Sequence, residues 1–238
     1  MKLGVISDVH GNAPALAAVL RAMEPVDALL CLGDAVGYYP FSSCVCRTLR
    51  SRCTIVLAGN HDRYVTAPPP APNALLQASL DMVRATLSEV ERGWLAALPE
   101  AWAAEVDGVR LMAMHGSPWD ALEEYVYPDH PRLDRFASLP ADVVFLGHTH
   151  RPMRVNTGNV LVVNPGSVGQ PRDGCPDAAW AVLDTATQKV ELHRVAYNAA
   201  VVVRRLPRWY GGPADLSRIA SYFCKGPRPC CGKCSTDI

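Results

Sequence analysis

Short apolar runs, each closed by a polar turn, alternate along this chain with stretches in which apolar residues recur at helical spacing. The runs at 2–6, 28–32, 54–58, 109–114, 143–146, 160–163, 179–183 and 190–195 have strand length and predict eight strands. Between the first two, Leu16, Val19, Leu20 and Met23 fall at i, i+3, i+4 and i+7, one face of a helix that opens near Asn12 and Pro14. A second helix is expected after Pro40, on a weaker stripe of Cys44, Val45, Thr48 and Leu49. A third carries a capping box, Ser88 with Glu91, and then Trp94, Leu95 and Leu98 before Pro99 stops it. Four prolines in 67–72 exclude regular structure there and predict a loop. Strands alternating with helices predict an α/β fold.

Composition adds a boundary. From Leu206 onward the chain carries Pro207, Pro213, Pro227 and Pro229, the pair Gly211-Gly212, and then Cys224, Cys230, Cys231 and Cys234. We therefore divide it into a main domain, 1–205, and a Pro/Cys-rich appendage, 206–238. Charge removes one class of function: 23 Lys and Arg balance 23 Asp and Glu, so the excess of cations that general nucleic-acid binding needs is missing. No apolar run reaches the length of a membrane span. Residues 1–6 lead straight to Asp8 without the apolar core of a secretory signal, and nine cysteines, an odd number, suit a reducing compartment. The expectation is a globular cytoplasmic protein, with nothing to indicate its oligomeric state.

The candidate chemistry sits where strands end. Five apolar runs are followed by residues able to bind metal: Asp8 and His10; Gly33-Asp34; Gly59-Asn60-His61-Asp62; His115; and Gly147-His148-Thr149-His150. Ligand sites of α/β sheets gather outside the carboxyl ends of strands, so these loops can meet on one edge. Taken singly, each has a plain structural reading, such as a turn at Gly33-Asp34 or an Asx turn at Asn60. The set is more telling, because five of the seven histidines fall in these loops and only His130 and His193 lie elsewhere. Mixed nitrogen and oxygen donors without cysteine suit Mn, Fe, Ni, Co or Zn better than Mg or Ca.

The ordered set Asp8-x-His10, Gly33-Asp34-x-x-Gly37, Gly59-Asn60-His61-Asp62, His115-Gly116 and Gly147-His148-x-His150 resembles the calcineurin-like metallophosphoesterases over about residues 1–195. The phrase Gly33-Asp34-Ala35-Val36-Gly37-Tyr38 and the run from Asn164 to Arg172 are most similar to the small prokaryotic phosphodiesterases of that superfamily. The resemblance implies a two-sheet β-sandwich flanked by helices, with two divalent metals, manganese first among the candidates, at one edge. It implies that Asp8, His10 and His150 hold one ion, that Asn60, His115 and His148 hold the other, and that Asp34 bridges them. His61 is implied to face the substrate, either as general acid toward the leaving oxygen or as a stabiliser of its charge. Two ions at +4, two aspartates at −2 and a bridging hydroxide at −1 leave +1, which matches a phosphodiester monoanion.

Departures from the superfamily pattern narrow the substrate. Where the related serine/threonine phosphatases carry an Asp and an Arg after the second motif, this chain has Gly37 and Tyr38, and their Arg before the third motif is Ala58. The clamp for a monoester dianion is thus missing, and His61 lacks its usual carboxylate; a backbone carbonyl or Asp62 would have to serve. A small or nucleotide-type phosphodiester is the expected substrate. Dinucleoside polyphosphate hydrolysis, protein dephosphorylation and a non-catalytic scaffold role are the alternatives. Arg172, with Arg63 and Arg151, is the nearest replacement for the lost charge, and Tyr38 could stack on a base or sugar; each could equally be ordinary surface or core. In the appendage, Cys224, Cys230, Cys231 and Cys234 could hold a structural Zn ion or an iron–sulfur cluster, or stay free thiols.

Overall fold

The structure, a computed structural model, describes residues 1–224. Two five-stranded mixed sheets face each other. The first contains β1 (Lys2–Ile6), β2 (Ala28–Cys31), β3 (Ile55–Val56), β9 (Ala178–Asp184) and β10 (Lys189–Val195), in the order β10-β9-β1-β2-β3. The second contains β4 (Ala101–Val106), β5 (Val109–Met114), β6 (Val143–Phe145), β7 (Met153–Asn156) and β8 (Leu161–Asn164), in the order β4-β5-β6-β8-β7. The expected α/β sandwich is what forms.

Each sheet has a parallel centre, β1-β2-β3 in one and β5-β6-β8 in the other, with antiparallel strands outside it. The parallel strands therefore end together, and their C-terminal loops share one edge of the sandwich. Alternation sorts their side chains into layers. Leu3, Val5, Leu30, Val143, Phe145 and Val163 fill the space between the sheets. Ile6 and Cys31 point the other way, onto α1 (Ala13–Ala22) and α2 (Ser42–Arg52), while Val144 and Val162 pack outward against Phe136. Strands buried on both faces read as unbroken apolar runs, which is why they were visible in the sequence.

Local signals place the helices. Asn12 caps α1 by accepting from the Ala15 N–H at 3.2 Å. The Asn60–Tyr64 turn, α3, starts at Gly59, and α5 (Glu89–Ala96) opens on the expected Ser88/Glu91 capping box. Besides α3, three α-helices or strands before β8 fall where no strand or helix is expected. α4 (Ala74–Thr86) follows the proline loop, capped by Asn73 and burying Leu75, Ser79, Leu80, Met82 and Val83. β4 is an edge strand of alternating exposure, turned into β5 through Asp107-Gly108, whose φ values of 50° and 78° are those a two-residue hairpin turn requires. The short edge strand β7 follows Pro152.

Beyond β10, a short turn of helix α6 (Ala200–Val203) leads to α7 (Pro213–Ser221). Val202, Leu206, Tyr210 and Ile219 form an apolar cluster with Tyr39 and Leu75, and the Tyr210 hydroxyl donates to the Tyr38 carbonyl at 2.7 Å. The first part of the Pro-rich segment thus lies on the body beside the loop that follows β2. Cys31, Cys44, Cys46, Cys53 and Cys224 are free, whereas Cys175 is disulfide-bonded, a departure from what the odd cysteine count suggests. Cys230, Cys231 and Cys234 lie outside the described residues. Among the described residues no helix is long and apolar enough to cross a membrane.

Candidate metal centre and active site

The loops after β1, β2, β3, β5 and β6 converge. Potential ligand atoms of Asp8, His10, Asp34 and His150 lie within 4.8 Å of one another, and those of Asp34, His115 and His148 form a second such group. Asp34 belongs to both. His150 Nε2 is 3.1 Å from Asp8 Oδ1, and His10 Nε2 is 3.4 Å from Asp34 Oδ2. On the other side His115 Nε2 is also 3.4 Å from Asp34 Oδ2, and His148 Nδ1 lies 3.1 Å from His115 Nε2. Asn60 and His61 line the same cavity, of about 220 Å3, together with Tyr38 and Arg172.

The backbone is bent to achieve this. Asp8, His10, Asp34, Tyr38, His148 and His150 all have φ between 36° and 64°, and they are six of the eight non-glycine residues with positive φ among those described. Such conformations cost about 1–3 kcal/mol each and persist where packing over-determines them. The Asp62 carboxylate is one source of that constraint. It accepts from the N–H groups of Gly59, Ala35 and Val36 at 2.9–3.3 Å, which ties the second loop to the third. Gly59 is required by closeness, since a Cβ there would collide with Asp34 Oδ1.

Each imidazole is aimed by its far nitrogen. His10 Nδ1 meets the Val36 carbonyl at 3.1 Å, His115 Nδ1 the Leu32 carbonyl at 2.8 Å and His150 Nδ1 the Gln170 carbonyl at 2.6 Å. His148 is reversed, with Nε2 3.1 Å from the Glu123 carbonyl. A carbonyl accepts only, so these nitrogens carry protons, and the inward nitrogens are left to present lone pairs to a cation or, at His115, to hold a second proton beside Asp34. Two of those, His10 Nε2 and His150 Nε2, are 3.1 Å apart. Asp8 Oδ1 and Asn60 Oδ1 are buried without a hydrogen-bond partner. Converging lone pairs and orphaned oxygens in a dry pocket call for cations, and outward carbonyl partners are how proteins orient metal-binding histidines. The residues present fit divalent ions.

Titration follows the same logic. Burial pushes Asp8 and Asp34 up, but the surrounding imidazoles more than offset it and hold both carboxylates low, Asp8 chiefly through His150 and Asp34 chiefly through His115. Burial pushes His115 down, yet the charge of Asp34 prevails and lifts it to about 9. Burial dominates at His148 and His61, which fall to about 4.

His61 differs from the ligand histidines. Its backbone N–H donates to Asp34 Oδ1 at 2.9 Å, but its Nδ1 is buried with no partner. Neither a backbone carbonyl nor Asp62 orients it; Asp62 is spent on the three backbone N–H groups. The ring is instead packed. Tyr38 lies 4.7 Å from it, His10 meets it edge-on at 4.9 Å, and a Cβ on Gly37 (φ 109°) would come within 2.8 Å of Nδ1. Of the arginines considered, Arg63 is occupied by Glu100 and by the carbonyls of Leu95, Ala96 and Leu98, a structural role. Arg172 does reach the cavity, where Gln170 Oε1 accepts from its Nη2 at 2.9 Å.

Six lining residues were not singled out: the apolar Leu75 and Ile219, and Tyr125, Gln170, Arg218 and Tyr222. Tyr125 stacks on His148 with ring centres 3.8 Å apart. Arg218 and Tyr222 come from α7 and the turn after it, four residues apart and so on one helical face; that spacing behind Gly212-Pro213 was the available signal. A separate cavity of about 260 Å3 beside β9 and β10 mixes Lys2 and Lys189 with Glu24, Asp184 and Glu191 and contains none of the clustered residues.

Strand-end loops carrying two carboxylates, four imidazoles and an asparagine around one cavity, on a two-sheet sandwich, define a metallophosphoesterase. The profile of the calcineurin-like phosphoesterase superfamily domain matches residues 1–188, and the chain belongs to that superfamily. An uncharacterized protein of Methanocaldococcus jannaschii is 30% identical over 242 residues, covering 91% of this chain and 98% of its own length. Phosphodiesterase YfcE of Escherichia coli is 28% identical over 193 residues, 77% of this chain and 88% of that protein. The crystal structure of a metallophosphoesterase from Sphaerobacter thermophilus superposes with a TM-score of 0.80 at 30% identity, covering 93% of this chain and all of the other.

Proposed function

We propose that this protein is a dinuclear metal-dependent phosphodiesterase acting on small or nucleotide-type phosphodiesters. One observation carries the reading: Asp34 is common to two separate groups of inward-pointing donors. In this reading Asp8, His10 and His150 hold one divalent ion, Asn60, His115 and His148 hold the other, and Asp34 touches both. Manganese is the first candidate, with Fe, Ni, Co and Zn compatible with the same donors. Bound there, the ions would supply Lewis acidity toward the phosphoryl oxygens and an acidified water.

The chain's own residues do the rest. Asp62 keeps the loops bearing Asp34 and Asn60 in register, which preserves the spacing of the two ligand groups. Burial of Asp8, Asp34 and the imidazoles keeps bulk water away, so charges in the pocket act at full strength. His61 hydrogen-bonds the leaving oxygen and passes it a proton or holds its charge, with orientation set by Tyr38, His10 and Gly37 rather than by a carboxylate. Arg172, on the cavity wall, supplies positive charge toward bound phosphate. A scaffold role is the weaker reading, since all eight positions of the motif set are present and His61 faces the cavity.

The test is hydrolysis of bis-p-nitrophenyl phosphate against p-nitrophenyl phosphate with Mn2+, before and after chelation. The diester should turn over faster, and only with metal. No turnover of either substrate by the loaded protein would favour the scaffold, and faster monoester turnover would overturn the diester assignment.

A further inference from the structure

The charge count that matches a diester monoanion leaves out the far wall of the cavity. Two guanidinium groups stand along it, and a third lies in the groove next to it. Arg172 and Arg218 line the metal cavity, and Arg151 and Arg172 line an adjoining groove of about 350 Å3; Arg172 and Tyr222 are walls of both. Among the described residues none of the three arginines is ion-paired.

Arg172 is the informative member. It is half-buried, and an arginine withdrawn from water is normally paired with a carboxylate. Here its neighbours are neutral: Gln170 Oε1 accepts from Nε and Nη2, and the ring of Tyr222 lies 6.0 Å from the guanidinium carbon. Arg151 is fixed beside it, donating through Nε to the Arg172 carbonyl at 3.1 Å, with its guanidinium over Tyr127. Arg218 completes the row from α7, which Ile219 anchors in the apolar cluster with Tyr39 and Leu75. Asp34 is the single carboxylate on these two walls among the described residues, and it belongs to the ligand groups; on their outer side Arg151 and Arg172 also share a wider groove with Asp129 and with Asp173, the latter paired with Arg194.

We propose that Arg172, Arg218 and Arg151 form a second anion subsite at the seam of the two cavities, and that the substrate is a phosphodiester carrying a further phosphate. Resting on the phosphodiesterase reading, this assigns the scissile phosphate to the metal side and the second phosphate to the arginine row. Planar guanidinium groups match phosphate oxygens in pairs, and Tyr222 and Tyr125 give flat surfaces for the part of the substrate that joins the two phosphates. Arg218 and Arg151 are specificity-determining residues here, since neither belongs to the donor groups around Asp34.

The test compares two esters with the same scissile bond and leaving group: thymidine 5′-(p-nitrophenyl phosphate), and the same compound bearing a 3′-phosphate. With Mn2+-loaded protein, kcat/KM should be at least about tenfold higher for the 3′-phosphorylated ester, the value of one or two charge-assisted hydrogen bonds. Arg218→Gln with Arg151→Gln should bring the ratio to within about twofold of unity, with the loss in KM, and Arg218→Lys should recover part of it. Calorimetry gives an activity-independent readout: thymidine 3′,5′-bisphosphate should bind more tightly than thymidine 5′-monophosphate, and the double variant should abolish the difference. Equal rates and equal affinities in the unaltered protein, or equal losses for both ligands in the variant, would overturn the subsite. If neither ester is cleaved but the bisphosphate preference is found and is lost in the variant, the catalytic reading fails and the subsite stands. Both side chains are exposed, so the substitutions spare the core.

Discussion

The metal floor and the arginine wall of this cavity are built in opposite ways. The floor comes from loops at the ends of parallel strands, several of their residues in left-handed conformations, with every imidazole but that of His61 aimed by a backbone carbonyl. The wall comes from the loop after β8, from α7 and, at Arg151, from the end of the loop that carries His148 and His150; its arginines are held by neutral acceptors, ring faces and a small apolar cluster. In the proposed function the floor holds two cations a fixed distance apart, which calls for strain over-determined by packing. A wall that only has to recognise a ligand can be carried by a helix docked on the outside. Chemistry and selectivity are therefore separable here.

Substitutions should expose that separation, and Asp34→Asn should do so most strongly. It weakens both ligand groups together, so kcat should fall by about 10^3-fold or more, and metal analysis should show loss of both ions. His61→Ala should cost less, about 10^2- to 10^3-fold in kcat, and leave metal content intact. If His61→Ala proved the costlier, the shared role of Asp34 would be wrong.

Asp62→Ala moves down to stability. It strands the N–H groups of Gly59, Ala35 and Val36 in a buried place, so denaturant unfolding should show a loss of about 3 kcal/mol together with weaker metal retention. On the wall, Tyr210→Phe removes the hydrogen bond to the Tyr38 carbonyl. About 1 kcal/mol of stability should go, with KM changed more than kcat. An equal effect on kcat would mean that floor and wall are coupled.

The two regions also differed in how far the sequence disclosed them. Asp8, His10, Asp34, Asn60, His115, His148 and His150 are legible because each follows an apolar run, and parallel strands bring such positions to one edge. The partners that aim them are backbone carbonyls, such as those of Val36 and Leu32, which no residue identity announces. His61 was legible as a cavity residue, but its unpartnered Nδ1 depends on how Gly37 and Tyr38 pack around it. Arg218 and Tyr222 were hidden by composition: prolines and glycines around 207–213 suggest a loose tail, yet Pro213 stands at the first turn of α7, where proline fits. Their meeting with Arg172 is a product of docking between segments more than 40 residues apart. β4 was obscured for a simpler reason. Its outward positions are Ala101, Ala103 and Glu105 and its inward ones Trp102, Ala104 and Val106, so alanines on both faces blur the alternation, although Asp107-Gly108 is a strong hairpin signal.

Anomalous diffraction from crystals grown with Mn2+ tests the central claim most directly. Two peaks should appear in each molecule, one bounded by Asp8, His10 and His150 and the other by Asn60, His115 and His148, with an oxygen of Asp34 coordinating both. One peak alone, or two with Asp34 bound to neither or to only one, would contradict the shared carboxylate and the two-cation account with it.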